Sequence, residues 1–118
     1  MSLGNFTGVV NEFGSPHGIG FIVFMDNRCC GYRYEGLFFN GNITGGYGAY
    51  FTNNGDRHYE GQWLKGQAHG IGIFWDRDGG RGEGEFLYGA FIQGKKISPE
   101  GVVIYYSHTI LPCTVRIN

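Results

Sequence analysis

The chain has 118 residues, a formal net charge of −1 and 23 glycines, far above the average usage of about 7%. Glycine at that density excludes a helix bundle, because each helical glycine costs roughly 1 kcal/mol, and the few prolines without a Gly-X-Y period exclude collagen. Ten Phe, eight Tyr and two Trp exclude a flexible linker, and interspersed charges lack the basic footprint of a nucleic-acid binder, which leaves one ordered all-β domain.

The first expected unit, 6–33, opens with Phe6-Thr7-Gly8-Val9-Val10 and returns through His17-Gly18-Ile19-Gly20. The second, 34–58, opens with Tyr34-Glu35-Gly36-Leu37-Phe38 and continues through Gly46-Tyr47-Gly48 to Gly55. The third, 59–81, is the clearest: Tyr59-Glu60-Gly61-Gln62-Trp63, then Gly66, His69-Gly70-Ile71-Gly72, and a turn ending at Gly79. A partial fourth, 82–94, starts with Gly82-Glu83-Gly84-Glu85-Phe86. Residues 95–118 read as a C-terminal capping strand and tail, since glycine vanishes after Gly101 and Val102-Val103-Ile104-Tyr105-Tyr106 has strand character. The same stretch can be read as an open edge that pairs with a second copy or takes a partner strand.

Each unit reads as a β-hairpin. Alternation puts Tyr59, Gly61 and Trp63 on one face and Glu60, Gln62 and Leu64 on the other. On the return strand Gly70, Gly72 and Phe74 share a face, opposite Ile71, Ile73 and Trp75. A strand glycine between aromatics leaves room for a ring to lie over the backbone. Repetition of that arrangement predicts a single-layer, twisted antiparallel meander with a ladder of rings on one face. A lone hairpin is marginal, so stacked neighbours must supply the burial.

His17 and His69 occupy equivalent repeat positions, which points to a turn contact and away from catalysis. His58 and His108 have no partner at a readable spacing. Glu35, Glu60 and Glu83 also recur, with Arg33, Arg57 and Arg81 upstream, as in a salt-bridge ladder along one face. No nucleophile–base pair, paired acid or metal-ligand spacing stands out, so no enzyme activity, cofactor or metal is expected. Cys29, Cys30 and Cys113 are odd in number and form no CxxC pair, against a disulfide framework or a zinc site. With no apolar run of about 18 residues and no secretory leader pattern, the expected location is cytoplasmic, with membrane or cytoskeletal association as an extension.

Tyr59-x-Gly61-x-Trp63-x-x-Gly66-x-x-His69-Gly70-x-Gly72 resembles the MORN (membrane occupation and recognition nexus) repeat. The likeness covers 31–89, extends to 6–24 and fades past 90. It departs where Gly82 replaces Tyr, Gly45-Gly46 replaces His-Gly and Lys96 takes a glycine position. The resemblance implies a sheet of successive hairpins with an aromatic groove, acting as a non-catalytic scaffold or docking module. It also implies an association with membranes and phospholipids. Opening residues Gly8-Val9-Val10 and Gly18-Ile19-Gly20-Phe21-Ile22 are also similar to a cold-shock domain, but the later repeats go unexplained by it. The expected partner is therefore an extended or helical segment of another protein, with a phospholipid surface as the alternative and nucleic acid excluded. The expected groove residues are Tyr34, Phe38, Tyr50, Tyr59, Trp63, Phe74 and Phe86, whose rings must also supply whatever core the fold has.

Overall fold

The computed structural model describes residues 4–24 and 31–110. One antiparallel sheet of nine strands follows chain order: β1 (Gly4–Val10), β2 (Pro16–Phe24), β3 (Arg33–Phe39), β4 (Asn42–Phe51), β5 (Arg57–Leu64), β6 (Gln67–Trp75), β7 (Arg81–Leu87), β8 (Ala90–Ile97) and β9 (Val103–Ile110). No helix occurs among the described residues, so none there is long and apolar enough to cross a membrane. The expected all-β meander of hairpins is what the chain forms. The fourth hairpin, β7–β8, runs on to Ile97, past the residue 94 at which the array was expected to stop. The cysteines and the tail at 111–118 lie outside the described residues.

A continuous row of glycines crosses eight strands: Gly8, Gly20, Gly36, Gly48, Gly61, Gly72, Gly84 and Gly94 are successive register partners. Rings lie down on this row. A Cβ on Gly20 would stand 2.7 Å from Cζ of Phe6, one on Gly48 2.7 Å from Cε1 of Tyr34, and one on Gly72 2.5 Å from Cε1 of Tyr59. Gly94 continues the scheme under Phe91, at 2.9 Å. The composition anomaly is thus a packing requirement: the sheet has no second layer, and its own rings cover its backbone.

From β3 onward two kinds of turn alternate. Asn40-Gly41, Lys65-Gly66 and Tyr88-Gly89 close hairpins with both residues at positive φ, the signature of type I′ turns, whose twist suits a hairpin. Larger loops recur at 11–15, 52–56, 76–80 and 98–102. Each has a glycine N–H donating to the first residue's carbonyl (Gly79 to Asp76, 3.1 Å) and the first N–H donating to the fifth carbonyl (Asp76 to Gly80, 2.8 Å). The β2–β3 connection closes with the same pair of bonds between Phe24, Gly31 and Tyr32.

The return strand of each of the first three hairpins carries a wide segment. Val9 faces residues 17–19, Leu37 faces 44–47 and Gln62 faces 69–71. These wide segments pair regularly with the next hairpin: Gly18 with Phe38, Gly46 with Trp63, Gly70 with Phe86. The glycine after the histidine position takes φ of 104° at Gly18, 90° at Gly46 and 102° at Gly70, which only glycine adopts readily.

Candidate functional site

The seven rings expected to form a groove come together on one face in two rows. Tyr34, Tyr50, Tyr59 and Phe74 are successive register partners on β3 to β6. Phe38, Trp63 and Phe86 fill the second row. Contacts are mostly edge-to-face: Tyr34–Phe38 5.4 Å, Tyr34–Trp63 5.0 Å, Tyr59–Trp63 5.2 Å and Tyr59–Phe86 4.8 Å between centroids. All seven are buried, none with more than 4% of its surface exposed. In the free chain they are the core, and they present no open strip to a partner. The single layer is curved and twisted enough for its rings to seal one another.

Phe24 and Phe91 belong to this core as well, together with Ile22, Ile43 and Ala68. Phe91 was legible in principle, because Phe91-x-x-Gly94 places a ring beside a glycine one residue further off than Phe6-x-Gly8 does. The extra residue, Ile92, is accommodated by a bulge between β7 and β8.

Two hydroxyls complete the ring face. Tyr34 donates to the carbonyl of Leu37 at 3.3 Å, and Tyr59 donates to that of Gln62 at 2.7 Å. Leu37 and Gln62 are the residues that face the wide segments, so the phenols satisfy carbonyls that the hairpin ladder passes over. Burial pushes the Tyr34 phenol up to about 12 and the Tyr59 phenol still higher.

His17 and His69 make the turn contact the repeat implied, and they make it across hairpins. Nδ1 of His17 accepts from the N–H of Asn40 at 3.3 Å, and Nδ1 of His69 accepts from the N–H of Tyr88 at 3.1 Å. Each ring also stacks beside its turn, on Phe39 at 4.9 Å and on Tyr88 at 4.6 Å. His58 has a different place. It is the extra residue in the β4–β5 register, buried, with its ring 5.8 Å from Tyr50 and 6.3 Å from Tyr32.

The opposite face carries the charges. Arg33–Glu35 (2.9 Å), Arg57–Glu60 (2.8 Å) and Arg81–Glu83 (2.8 Å) are all formed. Arg57 lies three residues before its glutamate, where the others lie two before; the bulge at His58 brings it back to the same face. Arg33 also sits over Phe51 at 4.7 Å and Phe21 at 5.8 Å, and Arg57 over Trp75 at 5.8 Å. Lys95 pairs with Glu83 on this face, whereas Lys96 stands on the ring side, over Phe74 at 5.6 Å, and pairs with Asp76.

Beside this charged row runs an exposed apolar one. The residue between the two glycines of each return strand points away from the rings: Ile19 is 72% exposed, Tyr47 60% and Ile71 65%. Leu37 joins them at 38%. The Tyr47 hydroxyl donates to Glu60, and that bond holds its phenol above the usual range. A shallow depression ends the row, floored by Gly84 and Gly94 and walled by Ile71, Glu85, Gln93 and Tyr105, with Gln93 donating to Glu85 at 2.7 Å. No cluster of three or more metal-ligating side chains occurs among the described residues.

No curated protein matches the chain. The family model of the MORN repeat matches residues 59–81, which run from the first residue of the ring row on β5, through the Lys65-Gly66 turn and the His69 wide segment, to the start of β7. Residues 59–81 are thus similar to a MORN repeat, and the match suggests a repeat-type binding or scaffold module.

Proposed function

We propose that the chain is a non-catalytic docking module whose contact surface is the face opposite the rings, and that its partner is an amphipathic helical segment of another protein. One observation carries this reading: the same repeat position, filled by Ile19, Tyr47 and Ile71, is apolar and well exposed in three consecutive hairpins. Soluble proteins rarely keep an ordered apolar row in water without a binding use. Successive members lie two strands apart, about 9.6 Å in sheet spacing. Seven residues of helix rise about 10.5 Å, so one side chain per heptad meets one member of the row. The adjacent Arg–Glu row supplies a polar rim of alternating sign, suited to fixing orientation more than affinity.

The test is affinity capture with the chain and with an Ile19→Asp/Ile71→Asp variant, followed by reconstitution with the captured protein once purified. The expected result is capture that the double variant loses, with amide protection in β2, β4 and β6 on reconstitution. Equal capture by the variant would refute the assignment. Co-sedimentation of both proteins with anionic vesicles would instead favour the phospholipid alternative.

A further inference from the structure

We infer that the partner helix is basic along one flank, with a Lys or Arg in each heptad beside the residues that meet Ile19, Tyr47 and Ile71. The inference rests on the docking face proposed above and adds the chemistry of its occupant. Strand register sorts the charges of that face into rows. Glu35 and Glu60 both pair with Ala49, and Glu60 and Glu83 both pair with Ile73, so the three glutamates share one row. That row stands two residues along the strands from the row of Ile19, Tyr47 and Ile71, about 6.8 Å away. Arg33, Arg57 and Arg81 lie one step further still, in register with Phe51 and Trp75.

The arginines are pinned on that far side, Arg33 over Phe51 and Arg57 over Trp75. Each ion pair is neutral in sum, but its negative end faces the apolar row. The glutamates are within reach, with 25% to 44% of their side-chain surface exposed. Glu60 is tied to the apolar row directly, through the Tyr47 hydroxyl. Among the described residues the glutamate row holds one cation, Lys95 at its β8 end, 3.9 Å from Glu83.

Glu85 sharpens the asymmetry. It stands in the apolar row itself, in register with Ile71 and Gln93, at the repeat position that Leu37 and Gln62 hold in earlier hairpins. Glu35, Glu60 and Glu83 each have an arginine, whereas Glu85 has no cation among the described residues; Gln93 donates to its Oε1 at 2.7 Å. It walls the shallow depression opposite the exposed ring of Tyr105, a place where a lysine stem finds apolar cover and its ammonium a carboxylate. The glutamates recur every second strand, about 9.6 Å, and so meet one flank residue per seven-residue helical rise of about 10.5 Å. An acidic helix or an anionic lipid surface would meet these carboxylates first and be repelled.

The test titrates the 118-residue chain with three labelled synthetic helical peptides of four heptads. They share their apolar positions and carry Lys, Gln or Glu along one flank, and binding is read by fluorescence anisotropy. The Lys peptide is expected to bind about tenfold tighter than the Glu peptide, with the Gln peptide between and the margin shrinking as salt rises. Glu85→Lys should weaken the Lys peptide and strengthen the Glu peptide. Glu85→Gln, which keeps an acceptor for Gln93, should narrow the margin in the same direction if the lysine variant folds poorly. Ile19→Ser/Ile71→Ser should weaken all three peptides alike, because it strips the apolar row and leaves the charges. Equal binding of the three peptides, tightest binding of the Glu peptide, or a Lys preference unmoved by both Glu85 variants would overturn the basic flank and leave the apolar row standing. Failure of all three to bind would overturn both.

Discussion

At the scale of single residues, each letter of the repeat answers to one contact. The strand glycines make way for rings, the phenol serves the carbonyl opposite the wide segment, and the histidine serves the next turn. Space decides the cost of change at Gly61. A Cβ there would stand 2.6 Å from the carbonyl oxygen of Ile71 and closer still to the Cα of Gly72, backbone that has nowhere to go. Gly61→Ala should therefore cost more than about 3 kcal/mol in denaturant unfolding. Gly55→Ala meets nothing within 4 Å and carries only the strain of its loop φ, so about 1 kcal/mol is expected. Lys65 offers the opposite case. It sits at φ 51° as the first residue of a type I′ turn, where asparagine is favoured. Lys65→Asn should raise the denaturation midpoint at unchanged slope, corresponding to a gain of up to about 1 kcal/mol. Tyr59→Phe keeps the ring and removes only the bond to Gln62, and about 1 kcal/mol or somewhat more should be lost because that carbonyl is partly buried.

At the scale of elements, none of the first three hairpins is closed on itself. Its return strand widens away from its own partner and pairs evenly there with the following hairpin, and in the first and third the histidine of the widened segment reaches the following turn. His69→Ala should consequently act downstream. Amide exchange is expected to quicken in the Tyr88-Gly89 turn and along β7 and β8, with little change at the Lys65-Gly66 turn of its own hairpin. Exchange that quickens at 65–66 instead would show the histidine to be a local cap. The hairpins, their order and the ring rows could be read from the sequence because period-two alternation and glycine spacing are local signals. The ring face being sealed could not, since alternation says which face a ring shares but not how far the sheet curves. Nor could the linkage between hairpins be read. His17 and Asn40 are 23 residues apart, and their contact depends on a wide segment whose register becomes visible only in three dimensions. The Arg57–Glu60 pair shows the same limit, because the bulge at His58 restores a face that strict alternation would have swapped.

At the scale of the molecule, a single row of stacked hairpins ties stability to the links between neighbours, since every described strand is hydrogen-bonded only to the strands beside it in the chain, and its ring contacts reach no further than the next strand but one. The buried phenols put a pH limit on those links. An ordinary tyrosine ionises near pH 10 in an unfolded chain, whereas burial raises Tyr34 to about 12 and Tyr59 further in the same direction. A group whose folded value lies above its unfolded value contributes stability that is whole below the unfolded value and is lost as pH climbs toward the folded one. Stability should therefore hold up to about pH 10 and fall between about 10 and 12, as the unfolded chain releases protons that the folded chain retains. Circular dichroism along an alkaline titration should show the sheet lost cooperatively in that window. Tyr34→Phe removes one of the retained protons, so its unfolding free energy should decline less steeply with pH above 10, even though the variant begins from a lower value at neutral pH for want of the bond to Leu37. An unchanged slope would mean that Tyr34 already ionises freely in the folded sheet, which is incompatible with a ring held between Phe38 and Trp63 with none of its surface exposed.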